Sequence, residues 1–310
     1  MTILVSGSLA FDTIMLFEDH FKKHIAPEHV HVLSVSFTVT DLKKERGGCA
    51  GNIAYSLALL GATPLILASV GEDFTPYRTF LEELGVDTRF IREMPNTLTA
   101  QAFITTDLDD NQITAFHPGA MLLSHETKVP AEASLSWGIV APAGKEGMKK
   151  HARELAQAGI PFIFDPGQGL PLFSGEELLE CIELANMVAA NDYEMRMIVD
   201  KTGLSVKALA ERVDALIVTL GGKGSVIYHQ KGETSIPAVP ATHLADPTGC
   251  GDAYRAGLLY GFEKGCDLET SAKIASLMGA IKISCHGPQG HTFTPDWFFE
   301  RFFEAFGYRV

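Results

Sequence analysis

Seven residues near the end of the chain, Asp246-Pro247-Thr248-Gly249-Cys250-Gly251-Asp252, run straight into an apolar helical pattern that begins at Ala253. Small residues let the backbone turn tightly and expose its N–H groups, and a helix start adds unpaired amides and a positive dipole end. Together they form a hole for an anion. A carboxylate in that turn is out of place if the site only binds phosphate. It makes sense if Asp252 takes a proton from an attacking hydroxyl while the amides of Gly249, Cys250 and Gly251 hold a phosphoryl group in transfer. The same residues also read as a capped helix start, with Asp246 or Thr248 as cap and Asp252 in the first turn.

Three further segments carry chemistry of the same kind. Gly47-Gly48 opens a helical pattern and would let a ligand approach the backbone. Asn52, in the first turns of that helix, has an amide to offer a ligand hydroxyl. Asp12 can accept two vicinal hydroxyls, although it also suits a turn. Thr219-Leu220-Gly221-Gly222-Lys223-Gly224 is a second glycine turn at a strand end. It could lie against the phosphates or ribose of a nucleotide, or simply close a hairpin. It lacks the spacing of a Walker A loop. Asn191 and Glu194 stand three apart at a helix start. That pattern suits a magnesium–water shell near phosphates and equally a capping box. Gly7 is followed by Ser8-Leu9-Ala10, so no dinucleotide fingerprint follows the first strand. There is no HExxH, no G-x-S-x-G, and no local signal that would activate Cys49 or Cys250.

The elements that must position these residues alternate. Strand-like runs at 2–5, 64–70, 137–140, 161–164, 187–189 and 215–219 are separated by helical runs that stop at glycines such as Gly61, Gly85 and Gly159. This is the rhythm of an α/β protein with a mostly parallel sheet, whose ligands lie beyond the carboxyl ends of the strands. Asp12, Asp165, Asn191, Thr219 and the 246–252 segment all fall near such ends. Two regions break the rhythm: 13–17 with 31–40, and 97–106 with 112–117. Both are rich in β-branched and aromatic residues. They read as ribbons inserted into the core. Ribbons need a shared apolar face, so a small second sheet is expected, either covering the active edge as a lid or pairing with the same sheet of a second subunit.

Composition narrows the classes. The chain has 310 residues, 46% hydrophobic and 20% charged, which excludes a disordered chain, a collagen-like fibre and a coiled coil. Its 25 basic and 38 acidic residues leave a net charge of −13, a surface that repels nucleic acid and anionic membranes. The five cysteines are widely spaced with no CxxC pair, which points to reduced thiols in a cytoplasm. No apolar run is long enough to span a bilayer.

Taken together, Gly7, Asp12, Gly47-Gly48-Cys49-Ala50-Gly51-Asn52, the Asn191–Glu194 pair and Asp246–Asp252 resemble the PfkB family of carbohydrate and nucleoside kinases, also called the ribokinase family. The resemblance covers essentially the whole chain. It implies a single ribokinase-like kinase domain over 1–310, with a three-layer core of central sheet flanked by helices. A small β-sheet lid would come from the insertions at about 13–40 and 97–117. It implies ATP as phosphoryl donor with Mg2+ held through water near Asn191 and Glu194, and leaves a monovalent cation open. By similarity, Asp252 is the base and the amides of Gly249, Cys250 and Gly251 are the anion hole. Asp12, Gly48 and Asn52 bind acceptor hydroxyls, and Thr219, Gly221 and Gly224 approach the ATP. Cys250 stands where the family usually has alanine, and Pro247 where a small polar residue is common.

The stretch Thr105–Ala120 is similar to the bacterial adenosine kinase-like branch, which implies adenosine as acceptor and AMP as product. Phe103, Phe116 and His117, with Phe37, would then line the purine from the lid; each equally suits lid core or a dimer face. A sugar or sugar phosphate remains the alternative, with Lys43, Lys44 and Arg46 as candidate phosphate ligands. A monomer and a homodimer joined through the lid both fit.

Overall fold

A computed structural model describes residues 2–25, 34–109, 111–131, 133–230 and 232–310. The first half of the chain forms β1 (Thr2–Ser6), β2 (Ala10–Leu16), β3 (Asp41–Gly47), α1 (Cys49–Leu59), β4 (Pro64–Val70), α2 (Thr75–Glu83), β5 (Ile91–Glu93), β6 (Ala100–Thr106) and β7 (Gln112–His117). There follow β8 (Leu135–Val140), α3 (Lys145–Gln157), β9 (Phe162–Phe164), α4 (Gly175–Leu184), β10 (Met187–Asn191), α5 (Asp192–Thr202), α6 (Val206–Ala210) and β11 (Ala215–Thr219). The chain ends with β12 (Ser225–His229), β13 (Gly232–Ile236), α7 (Cys250–Glu263), α8 (Leu268–Ile283) and α9 (Pro295–Phe306).

Among the described residues, nine strands form one sheet in the order β13-β12-β11-β10-β9-β8-β1-β4-β5. Pairing is parallel from β11 to β5, and β12 and β13 add an antiparallel edge. Every residue of β4 is buried. Such continuous apolar runs are stable only with both sheet faces covered. One core joins the sheet to α1, α2, α7, α8 and α9, and a second joins its other face to α3, α4, α5 and α6. The expected three-layer core is therefore present. The chain leaves β1 toward β4 and β5 on one side and toward β8–β11 on the other. That reversal opens a crevice at the carboxyl ends of β1 and β8.

A separate four-stranded sheet has the order β3-β2-β6-β7. Here the structure departs from the sequence reading. The antiparallel partner of β2 is Asp41–Gly47 rather than 31–40. Residues 34–40 carry no strand, and 31–33 lie outside the described residues. The sequence of β3, Asp-Leu-Lys-Lys-Glu-Arg-Gly, has no apolar alternation because it is an exposed edge strand, where charged side chains are at home. Phe37 is likewise not on a strand. It packs against Phe17 and Phe21 at 4.8 and 5.0 Å between ring centres.

The small sheet is tied to the core where its strands begin. Asp73, just after β4, accepts from the Thr99 N–H at 2.8 Å and from Gln101 Nε2 at 3.0 Å. Phe11 of β2 packs on Tyr77 of α2, ring centres 5.8 Å apart. No helix of the described residues is long and apolar enough to cross a membrane.

Candidate active site

The 246–252 segment builds the turn its composition suggests. Gly249 is the N-cap of α7 with φ 78° and ψ 0°, a left-handed conformation that any side chain would strain. Asp252 then falls in the first turn. Its carboxylate accepts a 2.7 Å hydrogen bond from Asn52 Nδ2, so residues 200 positions apart meet. Burial pushes the Asp252 carboxyl up to about 6, with Asp165 adding to the shift while Asn52, Arg255 and Cys49 oppose it. A carboxylate at that value can take up a proton near neutral pH. The first-turn amides of α7 have no acceptors within the helix. One of the three expected in the anion hole is already engaged: the Cys250 N–H donates to Pro247 O at 3.1 Å. The Cys250 thiol is pushed up to about 11 by burial, so it stays protonated.

A cleft of about 1010 Å³ opens beside this turn. Gly249, Cys250, Gly251 and Asp252 line it together with Asn191, Glu194, Thr219, Gly221 and Gly224. All of the residues expected to face a nucleotide therefore share one cavity at the carboxyl ends of β10 and β11. The Asn191–Glu194 pair forms the capping box and also lines the cleft. Asn191 Oδ1 accepts from the Glu194 N–H at 2.8 Å and Glu194 Oε2 from the Asn191 N–H at 2.7 Å, a complete capping box on the cleft wall. The glycine turn after Thr219 likewise closes the β11–β12 hairpin while lining the cleft.

The cleft floor holds an ion pair absent from the sequence reading. Arg255, one turn after Asp252, donates from Nε and Nη2 to the Asp165 carboxylate at 3.0 and 3.3 Å, and Nη2 lies 4.0 Å from Glu194 Oε2. Both Arg255 and Asp165 are buried. Burial raises the Glu194 carboxyl and Asp165 adds to this, against the Asn191 N–H and Arg255. The available signal was a charged residue inside the otherwise apolar Ala253–Gly261 run.

Asp12, Gly48 and Asn52 do not line the cleft, and Asn52 meets it through its bond to Asp252. Gly48 has φ 85°, and a Cβ there would come within 2.7 Å of the Ala10 N–H nitrogen. Only glycine lets α1 start this close to β2. Burial and then the charge of Glu45, its cross-strand neighbour, lift Asp12 up to about 6. Tyr77 donates to Gly47 O at 3.1 Å, Gln289 Nε2 bonds the Tyr77 hydroxyl, and the same Nε2 reaches Asn52 Oδ1 at 3.0 Å. This chain of contacts ends at Asp252. Neither Tyr77 nor Gln289 carried any local sequence signal, because only the tertiary fold joins them.

Strand register divides the small sheet's candidates. Asp12, Ala102 and Phe116 stand in one transverse row and share a face. Phe11, Gln101 and His117 form the next row, and Thr13, Phe103 and Ala115 the row on the other side of Asp12. Adjacent rows point to opposite faces. Phe116 therefore shares the face of Asp12, whereas Phe103 and His117 share the other. Lys44 and Arg46 lie on that other face too, where they sit over the rings of Phe11 and Phe80 at 4.1 and 3.8 Å. Lys43 pairs with Glu45.

Comparison with known proteins fits this architecture. The model of the pfkB family carbohydrate kinases matches residues 19–295. The chain belongs to the pfkB family. The chain is 36% identical over 266 residues to the nucleoside kinase of Methanocaldococcus jannaschii, covering 85% of this chain and 87% of that protein. The nucleoside kinase of Burkholderia thailandensis bound to inosine superimposes with a TM-score of 0.89, at 50% identity over 99% of both chains. The same enzyme in complex with ADP-inosine matches with a TM-score of 0.87 and 52% identity, covering 99% of this chain and 97% of that one. This pfkB-family chain is thus a kinase.

Proposed function

We propose that this kinase transfers the γ-phosphoryl group of ATP to the 5′-hydroxymethyl group of a nucleoside, with adenosine, giving AMP, as the favoured acceptor. The observation that carries the reading is the position of Asp252. It stands at an amide-rich helix start, lines a nucleotide-sized cleft and accepts from Asn52, whose contacts run through Gln289 and Tyr77 to the Gly47 turn beside Asp12. Phe116, on the Asp12 face, supplies an exposed ring for a purine. The inosine and ADP-inosine complexes of the Burkholderia enzyme support a purine nucleoside acceptor.

In this scheme Asp12 accepts the ribose hydroxyls and Asn52 fixes Asp252 toward the 5′-hydroxyl. Asp252 removes that hydroxyl's proton as the phosphoryl group arrives, and the Gly249 and Gly251 turn holds its oxygens. Thr219, Gly221 and Gly224 lie against the nucleotide. Glu194 and Asp165 are hard oxygen donors on the cleft wall, and Arg255 holds Asp165 in place through two hydrogen bonds. That donor set fits a water-bridged Mg2+ beside Glu194 and Asn191. Bound Mg2+ would offset charge on the phosphates. Closure of the small sheet over the acceptor would exclude water.

A sugar phosphate is less well served. Lys44 and Arg46 lie on the face away from Asp12, and Lys43 is engaged by Glu45. The exposed apolar residues of that far face, Leu42, Phe103 and Ile113, suit pairing with a second copy and hence a homodimer through the lid. Use of ATP and free cysteines fit a cytoplasmic enzyme.

The test is ATP consumption with Mg2+ against adenosine, inosine, guanosine, cytidine, ribose, fructose and fructose 6-phosphate, with mass detection of product. Fastest turnover of adenosine to AMP is expected. A preference for inosine or guanosine would keep the purine nucleoside reading and replace adenosine. A preference for a sugar would overturn the nucleoside assignment.

A further inference from the structure

Lys282, in the last turn of α8, is a lysine with 0% of its surface exposed, and the reaction scheme above makes no use of it. Its Nζ donates to two main-chain carbonyls, Asp246 O and Cys285 O, each at 3.0 Å. A cation removed from water needs such acceptors. The two carbonyls belong to the two segments that frame the anion hole. Asp246 begins the catalytic turn. Cys285 begins the turn whose Pro288 packs against Gly249 and whose Gln289 holds Asn52.

The same two segments are bonded through the Asp246 side chain, which accepts from the Thr248 and Gly287 N–H groups, each at 2.8 Å. Burial would raise the Asp246 carboxyl, but the Thr248 and Gly287 hydrogen bonds and the charge of Lys282 outweigh it and leave the group lowered. Carbonyl oxygens converging on one buried positive charge are also the ligands that a monovalent cation such as K+ takes. Here the space between Asp246 O and Cys285 O already holds an ammonium, so a free cation does not fit.

We propose that Lys282 is a tethered substitute for a monovalent cation: its ammonium pins the Asp246–Asp252 turn to the Cys285–Gln289 turn and frees the enzyme from any need for K+. The inference rests on the kinase reading of the site. Lys282 is a positioning residue, since it touches neither the cleft nor Asp252. Its effect should therefore fall on kcat, through the set of the anion hole, and leave the nucleoside KM nearly unchanged.

The test has a structural and a kinetic arm. Crystals of the wild-type protein soaked in Rb+ should show no anomalous peak between Asp246 O and Cys285 O, whereas Lys282→Ala crystals should show one. Replacing tetramethylammonium by K+ should change wild-type kcat by less than about twofold at constant ionic strength. Lys282→Ala should lose about 10²-fold in kcat with KM within about threefold, and K+ or NH4+ should restore about tenfold of it. Lys282→Met, which refills the space without charge, should show the loss without the rescue. Rb+ at these carbonyls in the wild type, K+-dependent wild-type turnover, or a folded Lys282→Ala with normal kcat would each overturn the proposal. If Lys282→Ala does not fold, the two wild-type measurements still decide. Failure of the kinase reading would appear separately, as no ATP consumption under any cation, and leaves the Rb+ result unaffected.

Discussion

The two sheets hold their functional residues by different means. In the large sheet, β4 and most of β10 and β11 are buried on both faces, and the residues near the strand ends are fixed by a capping box, a hairpin turn and the Arg255–Asp165 pair. In the small sheet every residue of β7 is exposed, and β3 buries only Gly47. A two-sided core supplies the burial that orders the large sheet, proposed above to take the nucleotide, whereas the small sheet, proposed to take the acceptor, is held by strand pairing and a few contacts at its root. The difference teaches where rigidity and adaptability lie. On the proposed reading, phosphate chemistry sits on the buried edge, where misplacement costs rate, and acceptor recognition on the less buried sheet.

The sharpest test of the rigid half is Asp252→Asn. Turnover should fall by about 10³-fold or more, with the nucleotide Kd within about threefold. The same variant should melt at a higher temperature. The folded-state value of Asp252 is about 6, above the ordinary carboxylate value of 3.8. The ionised form is therefore penalised in the fold, and stability falls as pH rises through that window. Asparagine removes the penalty, so the gain in Tm should appear above pH 6 and vanish at low pH. A variant with near-normal turnover would remove Asp252 from the base role.

On the adaptable half, Asp12→Ala should raise the acceptor KM by about 10²-fold, with a smaller effect on kcat. An unchanged KM would take Asp12 out of the site. The two aspartates should also share a pH limb. Both are lifted to about 6 and both act ionised, so kcat/KM should fall as pH drops through that value. The limb should approach a slope of two in the wild type and one in Asp12→Asn.

Register provides a smaller but more discriminating contrast. Phe116→Ala should raise the nucleoside KM by about tenfold, whereas Phe103→Ala should leave it within about twofold. Equal effects would mean that both faces of the sheet touch the acceptor. The smallest expected change is in hydrogen exchange. Amides of 112–117 should slow on adding nucleoside, while those of 187–191 should be protected already.

Much of the rigid half was legible in the sequence because its signals are local. A glycine-rich helix start, an Asn-x-x-Glu cap and a glycine turn after a strand can each be read within a few residues, and each forms as expected. The antiparallel partner of β2 was not legible. Asp41–Gly47 lacks apolar alternation because its side chains face water, and the pattern therefore pointed to the more apolar 31–40. Phe37 was misjudged for the same reason: an aromatic residue in an irregular segment packs with Phe17 and Phe21 where no strand periodicity announces it.

Local chemistry and periodicity were thus enough to determine an α/β chain with an amide-rich turn, a carboxylate within it, and a set of polar strand ends. Only the tertiary structure decided which of those groups meet. Asn52 reaches Asp252 because α1 and α7 pack side by side, not because of any spacing between them. Phe116 and Phe103 take opposite faces because orientation alternates residue by residue and depends on register with β2. Lys282 reads in sequence as an ordinary polar position near a helix end. It becomes a buried cation because the Asp246 turn, distant in sequence, closes over it beside the adjacent Cys285 turn.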